Sequence, residues 1–198
     1  MNLFISTFIK LFFVLTPFFS LTMFLSLTEG QEEPKRKRLV ITSSAAVVGI
    51  CLVLFFAGTR LFELFGITLD SFRIGSGVLL MLSGIGLVRG ESSFKNSGEG
   101  DIAVVPLAIP IIVGPATTGT LLVMGAEMTS LSEKSIGCAA LTTAVTSLAI
   151  ILFCSSMIQR LIGIRGISIL SKLTGLALVA LSAQMIMTGI QGFLHITP

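Results

Sequence analysis

The chain has 198 residues, 53% of them hydrophobic and 12% charged, with a mean hydropathy of +1.00. Such a composition excludes an ordinary soluble domain and puts the chain in lipid. The formal charge of +3 does not point to nucleic acid, because the cations gather in short connections, where membrane proteins use them for orientation.

Apolar blocks run through 3–28, 39–59, 71–89, 102–126, 135–158 and 172–194. A bilayer core about 30 Å thick takes roughly 20 apolar residues per helix, so the pattern predicts six spans and an all-α polytopic membrane protein. The first block has no basic leader region and no small-residue cleavage pattern, and it reads as a retained helix. Lys10 within it reads as interfacial. The Glu29–Arg38 connection is strongly polar, and Asp70 and Arg73 open the third block at a spacing that puts them on one helical face. Residues 91–101, rich in Ser, Gly and Asn, read as a flexible linker. Lys172 opens the last block, and His195 reads as a surface residue. Cys51, Cys138 and Cys154 are scattered, with no metal-ligand spacing, so neither a metal site nor a cofactor is expected.

Sliding the chain along itself exposes a repeat. An offset of 98 superposes Pro17 on Pro115, Thr22 on Thr120 and Glu29 on Glu127. An offset of 100 places Gly66-Ile67-Thr68 on Gly166-Ile167-Ser168, and one of 99 brings Arg73 onto Lys172. Apolar identities recur by chance in helices of small alphabet, but ordered punctuation does not. The expected organisation is a first three-helix repeat over 1–90, a polar linker over 91–101 and a second three-helix repeat over 102–198. An odd number of spans per half turns the second half upside down, the inverted-repeat plan of many secondary transporters. Lys and Arg divide nine against four between the two sets of loops, which places both termini outside the cytoplasm.

The densest motif is 105–120, with three prolines (Pro106, Pro110, Pro115) and two glycines (Gly114, Gly119) in an apolar setting. Proline lacks an N–H and clashes with the preceding turn, so this span is expected to break. Broken backbone at membrane depth is tolerated where it is buried in protein or faces a watery cavity. Gly114-Pro115 would start a half-helix whose N–H groups, with Thr117 and Thr118, suit a carboxylate. Thr16-Pro17 with Ser20 is the counterpart in the first half. Thr16, Pro17, Ser20, Pro110, Gly114, Pro115, Thr117 and Thr118 are the candidate substrate-binding residues, and simple helix kinks are the competing explanation. Arg73, Asp70 and Lys172 are the candidate pathway or gate residues, with interfacial anchoring as the alternative for the cations. Glu29 and Glu127 read as loop acids or proton carriers. The small runs Gly75-Ser76-Gly77 and Ser83-Gly84-Ile85-Gly86, with Gly175 and Ser182, read as close-packing faces. No nucleophile elbow, zinc motif or nucleotide loop appears, and no catalytic residue is assigned: the chain reads as a non-enzyme.

Asp101-Ile102-Ala103-Val104-Val105-Pro106-Leu107-Ala108-Ile109-Pro110 running into Gly114-Pro115 resembles the central signature of the MarC family of integral membrane proteins, also classed as small neutral amino acid transporters. Phe72-Arg73-Ile74-Gly75 and Phe24-Leu25-Ser26-Leu27-Thr28 support the resemblance, which covers essentially the whole chain. In the first helix Pro17 and Phe24 keep the family pattern, while Thr16, Phe19, Ser20 and Thr22 depart from it. The resemblance implies a multi-pass protein of the bacterial inner (plasma) membrane that carries glycine- or alanine-like solutes, coupled to an ion gradient. The expected partners are the lipid bilayer, a small zwitterionic solute, a coupling proton or Na+, and a second copy in a homo-oligomer, with no nucleic acid. A non-transporting membrane scaffold or assembly factor is the alternative function.

Overall fold

The computed structural model describes residues 3–28, 30–90 and 112–194. Among them all regular structure is helical, without strands: α1 (Leu3–Val14), α2 (Pro17–Leu27), α3 (Glu33–Phe65), α4 (Leu69–Arg89), α5 (Pro115–Glu127), α6 (Leu131–Phe153) and α7 (Ser155–Phe193). Among the described residues five stretches are long and apolar enough to cross a membrane: Leu3–Leu27, Glu33–Gly58, Leu69–Arg89, Leu131–Phe153 and Ser155–Phe193. Of the expected span 102–126, residues 102–111, with Pro106 and Pro110, fall outside the described residues, as do the linker 91–101, Glu29 and His195. Its helical part among the described residues, α5, has 13 residues. At 1.5 Å per residue it rises about 20 Å, short of a bilayer core.

Local chemistry sets the helix ends. Pro17 cannot donate to Phe13, and the Thr16 N–H takes that carbonyl at 2.9 Å instead. Thr16 precedes a proline and leaves the right-handed region for φ 48, ψ 59, a conformation that costs a non-glycine residue about 1 kcal/mol. The chain resumes as α2 with Pro17 at its start. α3 is longer than the 39–59 block because the basic segment from Pro34 to Arg38 forms its first turns rather than a loop. It stops at Gly66, whose φ of 62 lets the Ile67 N–H reach back to the Phe62 carbonyl at 3.1 Å. Thr68 then caps α4 by accepting from the Ser71 N–H at 3.2 Å, and Ser130 and Glu133 form a reciprocal capping box on α6.

The final span differs from the sequence expectation. α7 follows α6 almost directly and is interrupted at Gly163 (φ 68, ψ 170), so its long segment starts near residue 164 rather than 172. Gly166, aligned with Gly66 by the repeat, lies within α7. The residue that resembles Gly66 in breaking a helix is Gly163, because only a glycine adopts that backbone cheaply.

α4 and α7 form the most extensive helix pair, followed by α3–α5, α4–α5, α1–α6, α2–α7 and α3–α6. Glycines set the closest approaches, as expected where lipid offers no hydrophobic drive and packing decides. A Cβ on Gly84 would lie 2.8 Å from the Gly175 carbonyl oxygen, and one on Gly175 would lie 2.7 Å from that of Gly84. Gly77 abuts Ile186 and the Ser182 carbonyl, whereas Gly75 faces open space, so only part of the predicted small face is used in packing. One large apolar cluster joins α1, α2, α3 and α6 through Leu11, Leu21, Phe24, Val47, Phe55 and Leu148. A smaller one, Val14, Leu80, Ala116 and Leu178, sits where α1, α4, α5 and α7 meet.

On α3 the Ser43 hydroxyl is fully buried and has no hydrogen-bond partner among the described residues. Desolvating an unpaired hydroxyl costs on the order of 1–3 kcal/mol. Ser43→Ala is therefore expected to raise the unfolding temperature of the detergent-solubilised protein by a few degrees, and a lowered melting temperature would contradict this reading.

Candidate functional site

The two proline-marked segments meet. Gly114 caps α5 in extended conformation (φ −87, ψ −179), with Pro115 in its first turn. The first bond within the helix runs from the Thr118 N–H to the Gly114 carbonyl at 2.9 Å, so the N–H groups of Ala116 and Thr117 precede the helical ladder. Buried Thr117 donates its hydroxyl toward the Ile112 carbonyl at 3.2 Å and the Val14 carbonyl at 3.4 Å. The second contact ties the end of α1 to the start of α5. On the other side of the junction, buried Ser20 donates to the Leu15 carbonyl at 3.2 Å. Each break thus carries a hydroxyl that reaches five residues back to a carbonyl freed by the interruption, and Thr22 and Thr120 bond four residues back in matching fashion. Thr118 is half-buried and lines an open groove with Gly114, Ser71, Ser76 and Gly119.

Two clefts lie on either side of this junction, toward opposite ends of the bundle, and the first reaches it at Val14. The first, of about 120 Å³, is lined by Val14 and Lys10 of α1, Arg73 and Leu80 of α4, Thr120, Met124 and Glu127 of α5, and Gln184 and Thr188 of α7. Arg73 lines it beside two carboxylates. Its Nη1 pairs with Asp70, while Nε and Nη2 donate to Glu127 Oε1 at 3.0 and 2.8 Å. The Arg73 side chain is only 18% exposed, against 40% for Glu127. The Asp70 pairing was legible from the spacing, and Glu127 was not. Lys172, its repeat counterpart, is exposed on α7 and does not line this cleft.

The second cleft, of about 400 Å³, is more polar. Thr22, Ser26, Thr28, Gln31, Arg36 and Gln159 line it, with Leu25, Ile164 and Ile167. α7 fixes the relation between the two. It contributes Ile167 to one cleft and Leu181 to the other. Fourteen helical residues separate them, roughly 21 Å, so the clefts occupy opposite ends of the bundle. The half-helices contribute equivalent faces, Thr22, Leu25 and Ser26 from α2 and Thr120, Val123 and Met124 from α5, each pair at the offset of 98.

A helical membrane bundle with a proline break in its first span and a Gly-Pro entry to α5 narrows the field, and comparison decides it. A family model described as MarC family integral membrane protein matches residues 1–194. The chain belongs to the MarC family. A UPF0056 membrane protein of Methanocaldococcus jannaschii is 32% identical over 201 residues, covering 96% of this MarC chain and 97% of that protein. A UPF0056 membrane protein of Aquifex aeolicus is 31% identical, covering 97% and 94%. The UPF0056 inner membrane protein YhgN of Escherichia coli is 29% identical, covering 96% and 98%. Those names place MarC relatives in a membrane and assign them no substrate. No solved structure matches the chain.

Proposed function

We propose that this protein is a secondary transporter of small neutral amino acids of the glycine and alanine kind, driven by a proton or Na+ gradient across the bacterial inner membrane. The observation that carries the reading is the contact of the two helix breaks, through Thr117 and Val14, between clefts that open at opposite ends. A scaffold needs no such paired interruptions at depth, where each freed backbone group must find a partner. A carrier does, because half-helix ends supply N–H groups and carbonyls to a zwitterion near the midplane.

An inverted 3+3 repeat with broken first and fourth spans is part of this proposal. It is supported by helix pairs that recur in related form: α4–α5 with α7–α2, and α3–α5 with α6–α2. In this plan Thr16, Pro17, Ser20, Gly114, Pro115, Thr117 and Thr118 face the solute in turn. The Ser20 and Thr117 hydroxyls exchange their main-chain acceptors for the solute during passage. Arg73, Asp70 and Glu127 latch one cleft, and Lys172 belongs to the pathway at the other end. The excess of cations at the Arg36 end supports an orientation with that end in the cytoplasm and both termini outside.

Reconstitution tests the proposal. Labelled glycine or alanine is expected to accumulate in proteoliposomes only under an imposed proton or Na+ gradient. Thr118→Val is expected to lower that uptake at least tenfold without moving the melting temperature. No gradient-dependent flux of any small amino acid would overturn the transporter reading and leave a membrane scaffold.

A further inference from the structure

The two clefts end on arginines in opposite electrostatic states. Arg73 is neutralised by two carboxylates, Asp70 and Glu127. Arg36 in the larger cleft makes its own contacts with neutral groups: its Nη2 donates to the Ser155 hydroxyl at 3.2 Å, and its guanidinium lies 5.6 Å from the centroid of the buried Phe24 ring, in a small pocket that Glu33 and Lys37 also line. Among the described residues no carboxylate lies within ion-pair distance of Arg36. Glu33, the nearest acid in sequence on that helix, pairs with Lys37 at 3.8 Å.

The placement of Arg36 is costly on general grounds. It lies in the first turns of α3, where the positive end of the helix dipole disfavours a cation. Lys35, Lys37 and Arg38 surround it in sequence and add to the same potential. Those three side chains are exposed, whereas Arg36 is half-buried, turned back over Phe24 and held by Ser155. A planar guanidinium pinned on an aromatic face is pre-organised to take an anionic group bidentately, which a mobile surface lysine is not. Arg36 also lines the cleft of about 400 Å³, which presents Thr22, Ser26, Thr28, Gln31 and Gln159 as neutral hydrogen-bonding groups.

We infer that this cleft is a binding site for a small carboxylate, with Arg36 as the residue that receives it. The inference deepens the transport reading and rests on it only for the identity of the solute: the carboxylate of a small amino acid docks on Arg36, and its ammonium meets the hydroxyl oxygens of Thr22 and Ser26 on α2 and the amide oxygens of Gln31 and of Gln159 on α7. The site makes the two ends unequal. The solute has a charged anchor at the Arg36 end and a closed ion pair at the Arg73 end.

Binding is measured by calorimetry on the full chain in neutral maltoside detergent, with L-alanine, propionate and alaninamide as ligands. Propionate and L-alanine are expected to bind, and alaninamide, which lacks the carboxylate, is expected to bind at least tenfold more weakly. Arg36→Gln is expected to weaken propionate at least tenfold. Because that change also removes the Ser155 contact, Gln31→Glu serves as a second variant. It leaves Arg36 in place and supplies a competing carboxylate at the cleft, with the same expected loss. Lys35→Gln, an exposed cation at the same mouth, is expected to change affinity less than twofold. Equal binding of alaninamide, no effect of both cleft variants, or occupation by phosphatidylglycerol but not by propionate would each overturn the inference. Arg36-dependent propionate binding without any amino acid flux would sustain this site and sink the transporter reading. Flux without such binding would do the reverse.

Discussion

Gly125→Ala is expected to lower the melting temperature of the purified protein by on the order of 10 °C and to reduce its yield from membranes. A Cβ at Gly125 would overlap the carbonyl oxygen of Phe55, a backbone atom with no rotamer to yield. At the same crossing, a Cβ on Gly58 would meet the Leu122 carbonyl oxygen. α3 and α5 pack there main chain to main chain, so one added methyl must push the helices apart along their contact. Overpacking a core costs about 1–3 kcal/mol, and the upper end applies where backbone must move. For a chain of this length that corresponds to a shift of roughly 2–4 °C per kcal/mol. Gly49→Ala, at a position with nothing within 4 Å, is the matched control and is expected to be neutral or slightly stabilising. Equal melting temperatures for the two variants would contradict the close α3–α5 crossing. Because α5 carries both Thr117 and Glu127, the same variant is expected to lose transport in proportion to misplacement of that helix.

Reversing the charge at Arg73 is the second large expected effect. Arg73→Glu puts three carboxylates, its own with Asp70 and Glu127, around one cleft mouth, and uptake is expected to fall at least a hundredfold. Glu127→Arg leaves two cations to share Asp70, and a similar loss is expected. The double exchange Arg73→Glu with Glu127→Arg restores one opposite-charge contact across α4 and α5, and uptake is expected to recover to within tenfold of the original. Coupled pairs in contact give interaction energies of about 0.5–3 kcal/mol, which sets the size of the recovery in stability. The partial exposure of Glu127 argues for the lower half of that range, since solvent screens the pair. Additive losses, with no recovery in the double exchange, would show that the two side chains do not act as one latch.

The membrane character, helical class and first interruption were all legible, because each is written in local chemistry. Apolar block lengths set the spans, and proline after Thr16 forces the break wherever it falls in a helix. The Asp70–Arg73 pair was legible for the same reason, since a spacing of three on one helix is local information. Glu127 was not. It reaches Arg73 from another helix, and its only signal was an acid closing a short apolar half-helix in need of a cation. Arg36 was hidden differently: a run of four basic residues reads as a topogenic loop, and nothing in the run says which member folds back over Phe24. The repeat paired Gly66 with Gly166, whereas the helix break in the second half sits at Gly163. Aligned letters locate a turn only to within the few residues over which any glycine could supply the same backbone angles.

Two-sided thiol accessibility tests the central claim most directly. With the three native cysteines replaced, Thr22→Cys and Thr120→Cys are placed at equivalent faces of the two clefts. Membrane-impermeant maleimide is expected to label them from opposite faces of sealed, oriented vesicles. Saturating glycine or alanine is expected to raise the labelling of one position while lowering the other, because one pathway cannot be open at both ends. Labelling of both from the same face, or rates indifferent to every small amino acid, would contradict a shared pathway through the junction of Val14 and Thr117.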